Sequence, residues 1–220
     1  QVPAGPILVV ANEFFDALPV HQLVKFTDGW RERLVDGDGQ SGFRFVPANS
    51  PSPLAKYLPP RAEAAALGSI AEIGLEARTL MSALAARVVV DGGGALIVDY
   101  GPSGAALGDS LQAVKNHRPH PVLDAPGTAD ITAHVDFAAL SLAARAAGAE
   151  VLGPAPQGEF LRRLGIDHRA RALRAKATAT EAQGIDDAAR RLTAPAAMGR
   201  SFKVLAVVPP GTSRVPGFDD

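Results

Sequence analysis

The chain has 220 residues, no cysteine, and 22 Lys+Arg against 23 Asp+Glu. That length suits one ordinary domain, or one with an insertion, and 47% hydrophobic residues suffice for a core. The lack of cysteine excludes disulfides, Cys-ligated zinc or iron–sulfur, and thiolate catalysis. A net charge of −1 gives no electrostatic reason to expect nucleic acid as a partner. No apolar run reaches the roughly 18 residues that span a bilayer.

Residues 6–11, Pro-Ile-Leu-Val-Val-Ala, form a short β-branched run that ends abruptly at Asn12-Glu13. This predicts a buried strand of a parallel sheet. Residues 21–27 and 30–35 flank Asp28-Gly29, a hairpin turn signal. A third short strand over 43–46 follows a Gly-rich turn, and the Pro- and Ser-rich stretch 47–60 reads as loop. From Leu67 to Val88 apolar residues fall at helical spacing, and Gly92-Gly93-Gly94 stops that helix. Residues 95–98 give a second buried strand, again ending on a carboxylate, Asp99. Asp136 is the expected N-cap of a helix over 137–147, closed by Gly148. A strand over 149–152, helices over 157–164, 167–177 and 181–193, and a final strand over 202–208 complete the pattern. Strands alternating with helices predict an α/β sheet, whose ligands bind at the carboxyl ends of the strands.

The segment Asn12-Glu13-Phe14-Phe15-Asp16 sets two carboxylates and an amide beside two aromatics at such a strand end. Those residues suit a site that fixes a cation such as a guanidinium. They equally suit a helix N-terminus, with Asn12 as cap and the acids meeting the dipole. Asp99-Tyr100-Gly101-Pro102 either lines the same crevice or is a plain turn. The glycines of residues 101–108 lack the Gly-Lys-Ser/Thr ending of a phosphate loop and read as loop. In the stretch 127–137, His134 and Asp136 could move a proton or hold substrate, or serve as turn and cap residues. The closest histidines, His117 and His120, have Pro119 between them, against the helical face a metal pair would use, so no metal is expected. The arginines at 162, 163, 169, 171 and 174 read as a solvated helix face, or as a surface that docks an acidic partner.

Five motifs, in order, resemble the MidA-like methyltransferases, a family with mitochondrial members that assist respiratory complex I assembly. They are ANEFFDALPVHQ (11–22), GGALIVDYG (93–101), APGTADITAHVDFAAL (125–140), QGEFLRRLGI (157–166) and MGRSFKVLAV (198–207). The resemblance implies the C-terminal part of a class I, Rossmann-like sheet. Residues 7–11 would be its fourth strand, 95–99 its fifth and 202–208 its last, with residues 20–88 a family insertion. It implies S-adenosylmethionine as cofactor and methyl transfer to a protein arginine. The mitochondrial members give symmetric dimethylarginine on a complex I subunit. It allows a homodimer.

On that resemblance Glu13 and then Asp16 would hold the guanidinium, with His134 completing the catalytic set. Asn12 and Phe14 would line the cofactor, and Asp99, Tyr100 and Asp136 the substrate. The family's Gly-rich cofactor loop lies before the fourth strand, so the chain reads as strands four to seven without the cofactor-loop half. This stretch alone is therefore expected to bind S-adenosylmethionine weakly or not at all, which calorimetry checks. The family's Ser-Pro after a glutamate is replaced by Ile73-Gly74 after Glu72, which puts the helix start in question. A catalytically inactive binding or assembly protein on the same fold is the alternative function, and a methyltransferase acting on another acceptor is a third. With 17 arginines to 5 lysines and 41 alanines, the expected setting is a bacterial cytoplasm, with the mitochondrial matrix as the alternative.

Overall fold

A computed structural model of the chain describes residues 3–37, 42–104, 107–212 and 214–218. The expected Gly-rich turn over 38–41 and residues 105–106 of the 101–108 loop lie outside the described residues.

The first sheet holds β1 (Ile7–Asn12), β6 (Gly93–Tyr100), β11 (Phe202–Val208) and β10 (Glu150–Pro156), in the order β1-β6-β11-β10. β1 and β6 run parallel, with Ile7 opposite Gly93 and Asn12 opposite Val98. β11 is antiparallel to both of its neighbours. Burial on both faces holds at β11, where Lys203 through Val208 are all buried, but β1, expected as a buried strand, leaves one face open, with Leu8 90% and Val10 72% exposed. One face is covered by α1 (Leu75–Asp91) and α2 (Phe137–Ala146). There Phe15, Met81, Ile97, Phe137, Leu140 and Leu205 form the main core. The helices α3 (Gln157–Arg163), α4 (Ile166–Arg174), α5 (Ala179–Thr193) and α6 (Met198–Ser201) lie between β10 and β11 in sequence, and α3 and α6 touch both strands.

The second sheet is antiparallel: β4 (Arg44–Pro51), β3 (Gly29–Asp36), β2 (His21–Phe26) and β5 (Ile70–Ile73), in that order. It has its own core of Leu23, Trp30, Ala62, Ala71 and Ile73. A small third sheet has the order β8 (Arg118–His120), β7 (Gln112–Lys115), β9 (Asp130–Thr132).

The sequence pattern misplaced three stretches. The helix expected from residue 67 begins at Leu75, and Ile70–Ile73 before it is a strand paired with β2. Its burial alternates, Ala71 and Ile73 inward, a period that four residues cannot distinguish from the helical one. Residues 47–60 are not all loop: β4 continues to Pro51, and two short 3-10 turns follow. β4 is the sheet's edge, the place in a sheet where prolines such as Pro47 and Pro51 are tolerated. The stretch 127–137 contains β9. The segment expected as an insertion, residues 20–88, divides: residues 21–73 build the second sheet, whereas α1 packs on the first.

Candidate active site

β1 and β6 end side by side, and the chain leaves both in turns. No helix follows β1, so the acids there do not serve a helix N-terminus. Instead Asp99, fully buried, holds the turn. Its Oδ2 accepts the backbone N–H groups of Phe14 (3.2 Å), Phe15 (3.0 Å) and Asp16 (3.3 Å). Its Oδ1 accepts that of Tyr100 (2.9 Å). This saturation lets the chain reverse, with Glu13 in the left-handed region at φ 47°, a conformation that costs a non-glycine residue energy. Burial, with the neighbouring Asp16 charge second, pushes the Asp99 carboxyl up to about 6 against the pull of its amide donors. Asp99 therefore acts through the loop it positions and presents no free face to a substrate.

Asp16 is also buried. Its Oδ2 accepts the Tyr100 hydroxyl at 2.7 Å, while its Oδ1 is buried with no hydrogen-bond partner. Such an acceptor costs about 1–3 kcal/mol unless something supplies a donor. Burial pushes the Tyr100 phenol up to about 12, and its hydroxyl also meets the Thr132 and Gln112 side chains. The phenol thus stays protonated and donates to Asp16 at neutral pH.

Asn12, Glu13 and Phe14 stand exposed at the end of β1. The Phe14 ring is 49% exposed and meets Phe15 edge-on at 5.6 Å. His134 is exposed as well. Its ring lies edge-on to Tyr100 at 5.8 Å, and its backbone N–H donates to Ser110 Oγ at 2.8 Å. Asp136 caps α2 by accepting the Ala139 N–H at 2.9 Å. Gly101 brings these groups together: a Cβ there would stand 2.2 Å from the Val135 carbonyl oxygen. The Val135 N–H donates to the Tyr100 carbonyl at 3.0 Å.

Beside the strand ends lies a cavity of about 280 Å³ walled by the turn after β1, Glu72 of β5, the starts of α1 and α2, and the loop after β6. A shallower recess against Tyr100, Gln112, Ser201 and Phe202 shares Pro102 and His134 with it. The structure therefore gathers Asp16, Asp99, Tyr100 and His134, with Asp136 on the cavity wall and Asn12, Glu13 and Phe14 on the open side. Sequence reasoning missed Glu72, Gln112, Thr132 and Phe202, whose pairings span long stretches of chain that no local motif reports. Among the described residues no cluster of three or more His, Cys, Asp or Glu could hold a metal ion. No helix among them is long and apolar enough to cross a membrane.

Residues 1–155 match the family described as "Putative S-adenosyl-L-methionine-dependent methyltransferase". The chain belongs to this methyltransferase family. The Drosophila melanogaster "Protein arginine methyltransferase NDUFAF7 homolog, mitochondrial" is 40% identical over 216 residues, covering 95% of this chain and 48% of that protein. The Danio rerio "Protein arginine methyltransferase NDUFAF7, mitochondrial" is 38% identical over 212 residues, covering 94% of this chain and 49% of that protein. A crystal structure from Burkholderia thailandensis, bound to S-adenosyl-homocysteine, superposes with a TM-score of 0.78 at 30% identity. That match covers 100% of this chain and 56% of that one. The chain thus spans about half the length of the curated relatives it matches. β1, β6 and β11 cover the residues that the resemblance named as its fourth, fifth and last strands, and they are neighbours in one sheet.

Proposed function

We propose that the whole protein methylates an arginine side chain of a protein, with S-adenosylmethionine as methyl donor. The observation that carries this reading is the pair of carboxylates at the strand ends. Glu13 is open to solvent, and buried Asp16 has one oxygen fixed by Tyr100 and the other without a donor. An arginine guanidinium stays protonated, with a pKa above about 12, and offers five N–H donors in a rigid fork. Glu13 pairs with that fork and fixes the direction of one nitrogen. The Asp16 charge adds to the field that draws the cation in. His134, beside Tyr100, forms the other side of the opening.

The exposed Phe14 ring and Asn12 amide fit the edge of a cofactor site: an apolar face beside a polar one, both open at the end of β1. When bound there, S-adenosylmethionine would supply an electrophilic methyl group. The relatives' names as protein arginine methyltransferases support arginine as the acceptor. Within this reading the product is symmetric dimethylarginine and the substrate a respiratory complex I subunit. The setting is a bacterial cytoplasm and the assembly a homodimer.

Incubating the intact protein with labelled S-adenosylmethionine and candidate arginine proteins, then locating the methyl group by mass spectrometry, tests the proposal. Methylarginine is the expected product. Label on another side chain, or on a small molecule alone, would overturn it. Glu13→Gln nearly keeps shape but removes the charge. It should lower turnover about 100-fold or more at unchanged thermal stability, and near-normal turnover would remove Glu13 from this role.

A further inference from the structure

The cavity beside the strand ends carries charged residues, yet its acids on the second-sheet side are already satisfied. Glu72, on β5, lies on its wall. Glu72 Oε1 accepts from Gln22 Nε2 (2.8 Å), the Ser110 N–H (3.0 Å) and the Leu111 N–H (3.1 Å). Glu72 Oε2 accepts the Ser110 hydroxyl. Asp109, next in the same loop, takes Gln22 Nε2 at 2.8 Å and Arg33 at 2.7 Å. The Gly108 N–H donates to the Ile70 carbonyl at 2.8 Å. Residues 108–111 are thus fastened along β5, and Ser110 Oγ passes the hold on to the backbone of His134.

Two consequences follow. Glu72 accepts three of the hydrogen bonds that fasten this loop to the second sheet, beside those of Asp109 and Gly108, so it is a main support of the cavity wall. And a ligand entering the cavity meets Glu72 and Asp109 with their carboxylates already hydrogen-bonded, beside the apolar side chains of Phe15, Leu18, Val20, Leu107, Val135 and Leu140. Arg78, on α1 with a buried Nε that has no partner, and Asp136, at the start of α2, also line the cavity with opposite charges, so the lining carries no net charge preference from this pair. An apolar group gains from such a lining, whereas a charged one loses its water and finds few free partners.

We propose that this cavity is the subsite for an apolar side chain next to the target arginine in the protein substrate, and that Glu72 is the positioning residue that holds its wall in place. The inference rests on the arginine methyltransferase reading. Its support is the continuity of the cavity with the recess at Tyr100 through His134 and Pro102, together with the saturation of Glu72. A volume of about 280 Å³ admits a leucine or phenylalanine side chain.

The test uses the intact protein and a peptide series in which the residues flanking the arginine are varied through Leu, Phe, Ala and Asp. At one flanking position kcat/KM should fall about 10-fold or more from Leu to Ala, and further for Asp. Glu72→Ala should raise KM for the Leu peptide and flatten the series, with kcat at saturation changed far less than KM and some loss of thermal stability from the orphaned Ser110 and Leu111 N–H groups. Glu72→Gln keeps an acceptor for the two backbone N–H groups and should restore part of the discrimination, which guards against simple misfolding. A flat series with the wild-type protein, or a series unchanged by Glu72→Ala, would overturn the inference while leaving arginine methylation standing. A wild-type protein that methylates no arginine peptide sinks the functional reading itself, and this inference with it.

Discussion

Buried Asp16 and half-buried Tyr100 form a pair in which one hydroxyl serves a carboxylate side chain that has no other donor. Removing that hydroxyl leaves a charge in the interior with both oxygens unsatisfied. Tyr100→Phe should therefore destabilise the protein by about 1–3 kcal/mol, whereas the double variant with Asp16→Asn should recover part of that loss because the charge is gone. Urea unfolding of the two single variants and the double variant measures this coupling. Additive effects would show that the two side chains act independently. The candidate residues stand out in the sequence because they crowd into three short runs, 12–16, 99–100 and 134–136. Their roles do not. Asp99 looked like a substrate ligand in the sequence, and only the convergence of four N–H groups on its carboxylate reveals a loop anchor.

At the scale of elements, the site is an arrangement of strand ends, and Gly101 decides how closely they meet. A methyl group at that position would stand 2.2 Å from the Val135 carbonyl oxygen, so the backbone must part. Gly101→Ala should cost about 1–3 kcal/mol of stability from overpacking. It should also lower activity more than the fraction unfolded accounts for, because the segment carrying His134 and Asp136 moves with Val135. Activity per folded molecule, with the folded fraction read by circular dichroism, checks this. Elements with one clear period were legible: β1, the hairpin of β2 and β3, α2 with its Asp136 cap, and β11. The hairpin turn itself falls on Thr27-Asp28, one residue earlier than expected, with Gly29 already in β3. Where the period was ambiguous the sequence misled, as at Ile70–Ile73. There the short run extends an apolar pattern that the following helix continues, and only pairing with β2 makes it a strand. The third sheet was invisible for a related reason: its strands are three or four residues long and owe their form to one another.

For the molecule as a whole, buried Asp99 ties stability to pH. Its folded value, about 6, lies above its ordinary carboxylate value of 3.8, so the folded state binds this proton more tightly than the unfolded one. Its contribution is most favourable below about pH 4. It declines as pH rises through the window from about 4 to about 6, and above that the full cost of the buried charge remains. The wild-type stability curve minus that of Asp99→Asn should therefore fall across that window and level off above it. A difference that rises, or stays flat, would contradict the burial of an ionised Asp99.

The sequence alone determined where the longer strands and helices run, such as β6, β11, α2 and α5, because apolar periodicity and capping are local properties written into neighbouring residues. It also determined the family, because its motifs are contiguous runs. The tertiary structure decided what those residues do. It set Asp99 against a turn 83 to 85 residues away, paired Asp16 with Tyr100, and fastened the second sheet through Glu72 to a loop 38 and 39 residues on. Hydrogen-bond saturation and burial depend on which distant groups converge, and no local pattern of residues encodes that convergence.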